Sequence, residues 1–203
     1  MAEERVWNDD LVKIFKESLS ADIPNIKIEK CKILKDLFLQ KGKDFYSLQL
    51  GFSEQDIVFY EEIMDISEFY KIEKIKIHNI DKNKKNEIVI PKVICELKYD
   101  GINTHGLITY SNIAYDIKSI FPHCKYYLIL FYKSTSSENK LLRSGKSFDH
   151  IFYFDSDSGK SKKYNKGDFE LRLKIDNKIK EKYVSLITTI KSDLTQQKYD
   201  FVK

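Results

Sequence analysis

The residues with the clearest chemical potential are Glu96 and Lys98, two opposite charges that close a strongly apolar stretch. From Ile88 to Ile94 both alternating faces are mostly apolar, which is typical of a central strand covered on both faces. Because side chains alternate along a strand, both charges emerge on one face, about 6.6 Å apart. Buried charge is costly without partners, and a metal ion with an anionic substrate would supply them. The same triplet also occurs as a solvated ion pair on exposed strands, so the surrounding elements decide between the two interpretations.

The elements before this strand would have to position the pair. Asp56 directly precedes an apolar run, and Asp81 lies in a polar stretch where turn chemistry alone explains an aspartate. Periodicity and turn residues predict the following order: a helix starting at Asn8–Asp10, a short helix within 25–43, a strand over 45–50, a turn over 51–55, a second strand over 57–60, a strand over 70–80 and a polar turn over 81–86.

The elements after it predict a crossover between parallel strands. Asn103 or Thr104 can cap a helix whose apolar positions recur every three or four residues as far as Phe121, and Pro122 ends it. An apolar strand over 126–132 follows, so two parallel neighbours are expected. The remaining chain predicts a strand over 148–154, a loop over 156–167, a short strand at Leu171 and Leu173 and a final helix over 179–194.

Charge is distributed unevenly along the 203 residues, although the net charge is only +4. Residues 133–182 carry 13 Lys and Arg against 8 Asp and Glu, whereas residues 1–132 carry 19 against 21. A basic C-terminal part could hold a polyanion. Candidates for contacts to backbone phosphates are Lys160, Lys162, Lys163, Lys166 and Arg172, although a solvated lysine-rich loop explains them equally well.

Composition and length narrow the class of protein. No apolar run is long enough to span a bilayer, the start of the chain lacks the features of a secretory signal, and the three cysteines lack metal-site spacing. We therefore expect one cytoplasmic domain over residues 1–203 with reduced thiols and no membrane partner.

The four histidines lack zinc-ligand spacing, and neither Gly-Lys-Ser triplet has the glycine that a phosphate loop requires. His105, near the end of the charged strand, could touch a phosphate or be an ordinary surface residue.

The element order, with Glu-x-Lys at the end of the third core strand, resembles the PD-(D/E)XK nuclease superfamily, and the compact size resembles its type II restriction endonucleases. The resemblance covers about residues 9–132 and leaves 133–203 as a basic C-terminal elaboration. It implies an α/β (α+β) fold with a restriction-endonuclease-like αβββαβ core, in which helices flank a mixed central sheet.

The resemblance also implies roles for individual residues. Asp56 and Glu96 would hold Mg²⁺, for which Mn²⁺ can substitute, with the Leu97 carbonyl as a further ligand. Lys98 would face the same phosphate and orient or help deprotonate the attacking water.

Three positions depart from the pattern or leave it open. Gln55 stands where the family name has proline. Some members add a glutamate from the first helix, which here would be Glu17. If the strand over 70–80 belongs to the core instead of being an insertion, Asp81 replaces Asp56 as the first acid; we favour Asp56 because it lies directly against an apolar run.

The implied function is Mg²⁺-dependent hydrolysis of double-stranded DNA at a specific site by a homodimer, without an organic cofactor. Two-fold pairing would supply the two active sites that double-strand cutting needs. Two alternatives stay open at this point: a repair or junction-resolving nuclease with the same centre, and a DNA-binding module of the same fold without catalysis.

Overall fold

A mixed six-stranded sheet forms the centre of the protein, seen in a computed structural model that describes residues 2–79, 87–132, 138–155 and 164–196. Numbered in chain order, neighbouring strands follow one another across the sheet as 1-2-4-5-6. The short third strand pairs with the second. The strands are β1 (Lys27–Lys41), β2 (Tyr46–Asp65), β3 (Ile75–Asn79), β4 (Glu87–Lys98), β5 (Lys125–Tyr132) and β6 (His150–Asp155).

Helices cover both faces of this sheet. One core cluster joins the first and last helices to Cys95 and Leu97 of β4, and a second joins the helix after β4 to Ile94 on the opposite face. This arrangement confirms the predicted fold class. No helix in the described ranges is long and apolar enough to cross a membrane. The helices are α1 (Ala2–Leu19), α2 (Thr104–Ile120), α3 (Glu138–Ser144), α4 (Asp168–Ile175) and α5 (Asn177–Gln196).

The directions of the strands identify the three core strands. β2 pairs antiparallel with both β1 and β4, whereas β4, β5 and β6 run parallel to one another. β3 is shorter than the predicted strand over 70–80 and lies off the main path, beside the first residues of β2. It is therefore an addition to the core, and β2, which carries Asp56, is the second core strand.

The predicted short helix within 25–43 is wrong, because this segment is the long edge strand β1. Its apolar residues do not fall on one strict period, which allowed the helical interpretation. Pairing with β2 from Lys27 to Lys41, with two register shifts, satisfies the backbone along the segment. Tertiary pairing thus overrides a weak local pattern.

The predicted turn over 51–55 is also wrong, because β2 continues through it without a break. Gly51 pairs with Asp36 of β1, and a Cβ at this glycine would lie 3.0 Å from the Asp36 Cβ. The glycine therefore allows a close approach between strands, a use of glycine that a sequence pattern does not separate from a turn.

The elements after β4 match their predictions closely. The Asn103 side chain caps α2 by accepting a hydrogen bond from the Gly106 N–H at 2.7 Å. Leu107, Ala114 and Ile117 are buried on its apolar face. The two strands that α2 connects, β4 and β5, are parallel neighbours as expected.

The C-terminal part gives a mixed outcome. α5 confirms the predicted final helix, whereas the predicted strand at Leu171 and Leu173 is wrong and belongs to α4. Leu171 is exposed and Phe169 is the buried residue of this helix, so the two-residue spacing did not mark a buried face. α3 was not predicted, and most of the predicted loop over 156–167 lies outside the described residues.

Candidate active site

The antiparallel pairing of β2 with β4 brings Asp56 to the segment Glu96–Lys98. Ile57 pairs with Cys95, so Asp56 and Glu96 lie on the same side of this pair. The Asp56 carboxylate accepts a hydrogen bond from the Leu97 N–H at 2.9 Å. Asn8 of α1 donates its side-chain amide to the Asp56 carbonyl at 3.2 Å and fixes the backbone there. Residues 40 positions apart in sequence therefore form one cluster.

Glu96 is almost completely buried, with 5% of its surface exposed. Its carboxylate lies 2.8 Å from the Lys98 ammonium, because alternation along β4 puts both side chains on the face covered by α2. The pair is thus not the solvated ion pair of an exposed strand. A buried pair of this kind stabilises the fold little, since desolvation offsets the attraction.

Lys98 has partners from both helical layers as well as from its own strand. Its ammonium donates to the Leu97 carbonyl at 2.8 Å and lies 3.4 Å from the Glu4 carboxylate of α1. The ring of Tyr110, in α2, lies beneath it with 4.5 Å between the nitrogen and the ring centroid. The ammonium is therefore held at the point where α1, β4 and α2 meet.

Two of the three charged groups have raised pKa values caused by burial. Burial, followed by the charge of Asp56, raises the pKa of Glu96 from its ordinary 4.5 to about 7, although Lys98 pulls it down. Burial also raises the pKa of Asp56, partly offset by the Leu97 N–H and by Lys98. For Lys98, burial lowers the pKa but the carboxylates of Glu96, Glu4 and Asp56 raise it on balance. Ionising both carboxyl groups would thus place more buried negative charge in the cluster than Lys98 neutralises.

This imbalance gives a pH-dependent stability that can be measured. Between pH 4.5 and about 7 the folded protein holds a proton on Glu96 more tightly than the unfolded chain, so the free energy of unfolding falls as pH rises through that window. We expect Glu96→Gln to remove this decline, on the order of 1–3 kcal/mol. Urea unfolding of both proteins across the window measures the difference; a difference that does not change with pH would contradict the assigned environment.

Glu4 is a member of the cluster that the sequence did not reveal, whereas Glu17 is not a member. The two oxygens of Glu4 reach the Lys98 ammonium and the Tyr99 N–H, each at 3.4 Å. Glu17 lies about 20 Å further along α1, its side chain is 63% exposed, and it faces Lys13. The structure thus brings a glutamate of the first helix to the cluster, but from its first turn.

A groove of about 640 Å³ leads to Asp56 between α1 and β1. Its wall includes the cations Arg5 and Lys30 beside the acids of the cluster, and Lys30 also forms an ion pair with Glu54 of β2. The groove gives solvent and ligands a route to one edge of the cluster. Its lining residues are Glu4, Arg5, Asn8, Asp9, Val12, Glu29, Lys30 and Asp56.

Gln55, which directly precedes Asp56, is buried and forms a hydrogen bond next to the acids of the cluster. The Tyr126 hydroxyl of β5 donates a hydrogen bond to its side-chain carbonyl. Burial and the nearby charge of Glu96 raise the pKa of Tyr126 well above its ordinary value, so the hydroxyl stays protonated as a donor. This bond ties β2 to β5 across β4, next to the acids.

The other predicted site residues lie in different settings. His105 is exposed in the first turn of α2, and Lys166 is exposed before α4. Arg172 is used inside the protein: it lies 3.8 Å from Asp155, donates to the Tyr132 hydroxyl at 3.3 Å and covers the Phe131 ring. The remaining candidates, Asp81, Lys160, Lys162 and Lys163, lie outside the described residues.

The donor atoms of the cluster suit a hard divalent cation. Asp56 and Glu96 supply carboxylate oxygens and Leu97 a carbonyl oxygen, the ligand types that Mg²⁺ prefers. Two of these oxygens, from Glu96 and Leu97, already share one ammonium at 2.8 Å each, so they can converge on one cation. Within the described ranges no three side chains of His, Cys, Asp or Glu group as metal ligands, so a cation here would also need the backbone and water.

Comparisons with known proteins do not assign a family. No protein-family model and no curated protein matches the chain. Among solved structures, the chain is similar to the native BbvCI A2B2 tetramer determined at low resolution, with a TM-score of 0.41 and 14% sequence identity. The match covers 76% of this chain and 59% of that one, so this chain spans less than two thirds of its length. A similarity of this size carries no argument, and the interpretation of the site rests on its own geometry.

Proposed function

We propose that the protein is a Mg²⁺-dependent DNA endonuclease that hydrolyses phosphodiester bonds, of the type II restriction kind. The observation that carries the proposal is the buried cluster of Asp56, Glu96 and Lys98 at the meeting point of β2 and β4. When both carboxyl groups are ionised, their negative charge exceeds what Lys98 alone neutralises, which is why the pKa of Glu96 is raised. A divalent cation and a phosphate would complete the charge balance.

Each residue has a role that follows from its chemistry. Asp56 and Glu96, with the Leu97 carbonyl, would hold the Mg²⁺, and Mn²⁺ could substitute. The bound ion would lower the pKa of a water ligand and reduce charge on the phosphate. Lys98 would donate a hydrogen bond to a phosphate oxygen and orient the attacking water. The water oxygen bonds to phosphorus as the bond to the leaving oxygen breaks; the water releases a proton to solvent and the leaving oxygen takes one from solvent. The Leu97 N–H keeps Asp56 in place for this task.

Double-stranded DNA is the proposed substrate, and a homodimer is the proposed assembly. The excess of Lys and Arg over residues 133–182 would contact backbone phosphates on both sides of the cut. Lys160, Lys162, Lys163 and Lys166 are the better candidates, because Arg172 already has internal partners. Two-fold pairing would present one active site to each strand.

A plasmid cleavage assay tests the proposal. With Mg²⁺ or Mn²⁺ we expect discrete fragments that disappear when the metal is chelated. Cutting confined to branched or damaged DNA would instead identify a repair or junction-resolving enzyme. DNA binding without cleavage under either metal would contradict catalysis and favour a binding module.

The first acid of the site is tested separately. We expect Asp56→Ala to abolish cleavage and Asp81→Ala to leave it close to that of the wild-type protein. The reason is that Asp56 contacts the Leu97 N–H, whereas Asp81 follows the added strand β3. The reverse result would move the first acid to position 81.

A further inference from the structure

The Lys98 ammonium lies on the same oxygens that the proposed cation needs. It is 2.8 Å from Glu96 Oε1 and 2.8 Å from the Leu97 carbonyl oxygen. Both distances are those of strong, charge-assisted hydrogen bonds. In this arrangement the lysine itself fills two of the three ligand positions assigned above to a divalent cation.

Two other groups of the cluster, Glu4 and Tyr110, also lie near the ammonium. Glu4 of α1 lies 3.4 Å from the lysine nitrogen, a distance at which an ion pair is only partly formed. The Tyr110 ring of α2 lies 4.5 Å away, within range of a cation–π interaction. A small rotation of the flexible lysine chain would shorten the contacts to Glu4 and to the ring, while releasing Glu96 and Leu97.

We propose that Lys98 and the divalent cation exchange places, with Glu4 and Tyr110 as positioning residues that receive the ammonium when the metal binds. The proposal rests on the metal site of the proposed function. An ammonium and a divalent cation repel each other strongly at the distance of a shared ligand, so they cannot both use Glu96 and Leu97. The exchange would also carry the ammonium away from the metal ligands to a position from which it can meet a phosphate.

The exchange makes Lys98 a competitor of the metal as well as a participant in cleavage. Removing the ammonium should therefore strengthen metal binding. With Mn²⁺ alone, without DNA, we expect Lys98→Met to bind about tenfold more tightly than the wild-type protein, because the competing occupant is gone. Electron paramagnetic resonance of free Mn²⁺ measures the affinity, at about pH 8.5 so that most carboxylates are ionised. Circular dichroism checks that each variant is folded.

Tyr110 gives the sharper test, because changing it alters no formal charge. Tyr110→Leu removes the ring that receives the ammonium, so Mn²⁺ affinity should fall about threefold when Lys98 is present and stay unchanged in the Lys98→Met background. Tyr110→Phe keeps the ring and should restore the wild-type affinity. Glu4→Gln should likewise weaken Mn²⁺ binding, and the loss should be larger in the protein with Lys98 than in the Lys98→Met variant.

The outcomes separate this inference from the proposed function. Two results would overturn the exchange and leave the metal site intact. In the first, Lys98→Met does not strengthen Mn²⁺ binding. In the second, Glu4→Gln and Tyr110→Leu change Mn²⁺ affinity by the same factor whether position 98 is Lys or Met. Equal effects would mean that Glu4 acts on the metal directly. Absence of Mn²⁺ binding in both the wild-type protein and Lys98→Met would overturn the metal site and the exchange together.

Discussion

Replacing Lys98 with alanine is expected to slow Mg²⁺-dependent DNA cleavage by about a thousandfold, as the loss of one preorganised donor at a developing charge does elsewhere. DNA binding should stay within about twofold, because affinity for DNA comes mainly from many phosphate contacts outside the active site. The structural reason is that the ammonium belongs to the same cluster as Asp56 and Glu96, within reach of a phosphate held by a metal ion bound there. Cleavage of a plasmid in single turnover and binding of a labelled duplex in Ca²⁺ measure the two quantities.

Lys92 offers a matched control on the same strand. It is also buried and pairs with a glutamate, Glu61, at 2.7 Å, but it lies about 20 Å from Lys98 along β4. Lys92→Ala should lower stability and leave the cleavage rate of the folded protein close to that of the wild-type protein. Full activity in Lys98→Ala, or equal losses in both variants, would contradict the role assigned to Lys98.

The parts of the site that the sequence predicted are those set by local rules. β4 is mostly apolar on both faces, so Glu96 and Lys98 stand out as charges at its end. α2 has a capping Asn103, a regular apolar face and a stop at Pro122, and the structure reproduces each signal. Local chemistry and tertiary structure agree along this stretch, and this consistency is what makes a segment predictable.

The parts that it did not predict depend on pairing over long distances. β1 and β2 form a long antiparallel pair whose register shifts and whose glycine, Gly51, make sense only with both strands in view. β3 lies between Asp56 and Glu96 in the sequence. Its pairing with the first residues of β2 shows that β3 is an addition to the core. No periodicity within either segment carries this information.

The glutamate of the first helix shows how an error at an element boundary moves a site residue. Asn8–Asp10 suggested a helix start, which excluded Glu4 from the helix and directed attention to Glu17. In the structure these polar residues make tertiary contacts instead: Asn8 donates to the Asp56 carbonyl, and Asp10 accepts from the Tyr164 hydroxyl. Glu3 and Glu4 occupy the first turn of α1, where the helix dipole favours acids.

Trp7 holds this N-terminal turn of α1 in place, and its replacement should cost more stability than the loss of any polar contact described above. The side chain is fully buried. Its ring packs edge-on against Phe131 with 5.3 Å between centroids, and it also contacts Tyr99 and Phe154. Trp7→Ala should lower the free energy of unfolding by about 3–5 kcal/mol, since it removes a large buried side chain and leaves a cavity.

The same substitution should disturb the active site, because Trp7 lies one turn from Glu4 and next to Asn8. We therefore expect Trp7→Ala to weaken Mn²⁺ binding as well, at a temperature where the variant remains folded. Urea unfolding followed by circular dichroism is the appropriate measurement, since Trp7 is the chain's single tryptophan and its fluorescence is lost in the variant. Tyr115→Ala removes an aromatic ring that is 66% exposed on α2 and should change stability by less than about 0.5 kcal/mol. If Trp7→Ala lowered the free energy of unfolding by less than about 1 kcal/mol, its effect would be no larger than that of an ordinary surface substitution. Such a result would mean that α1 does not pack on the sheet through this residue.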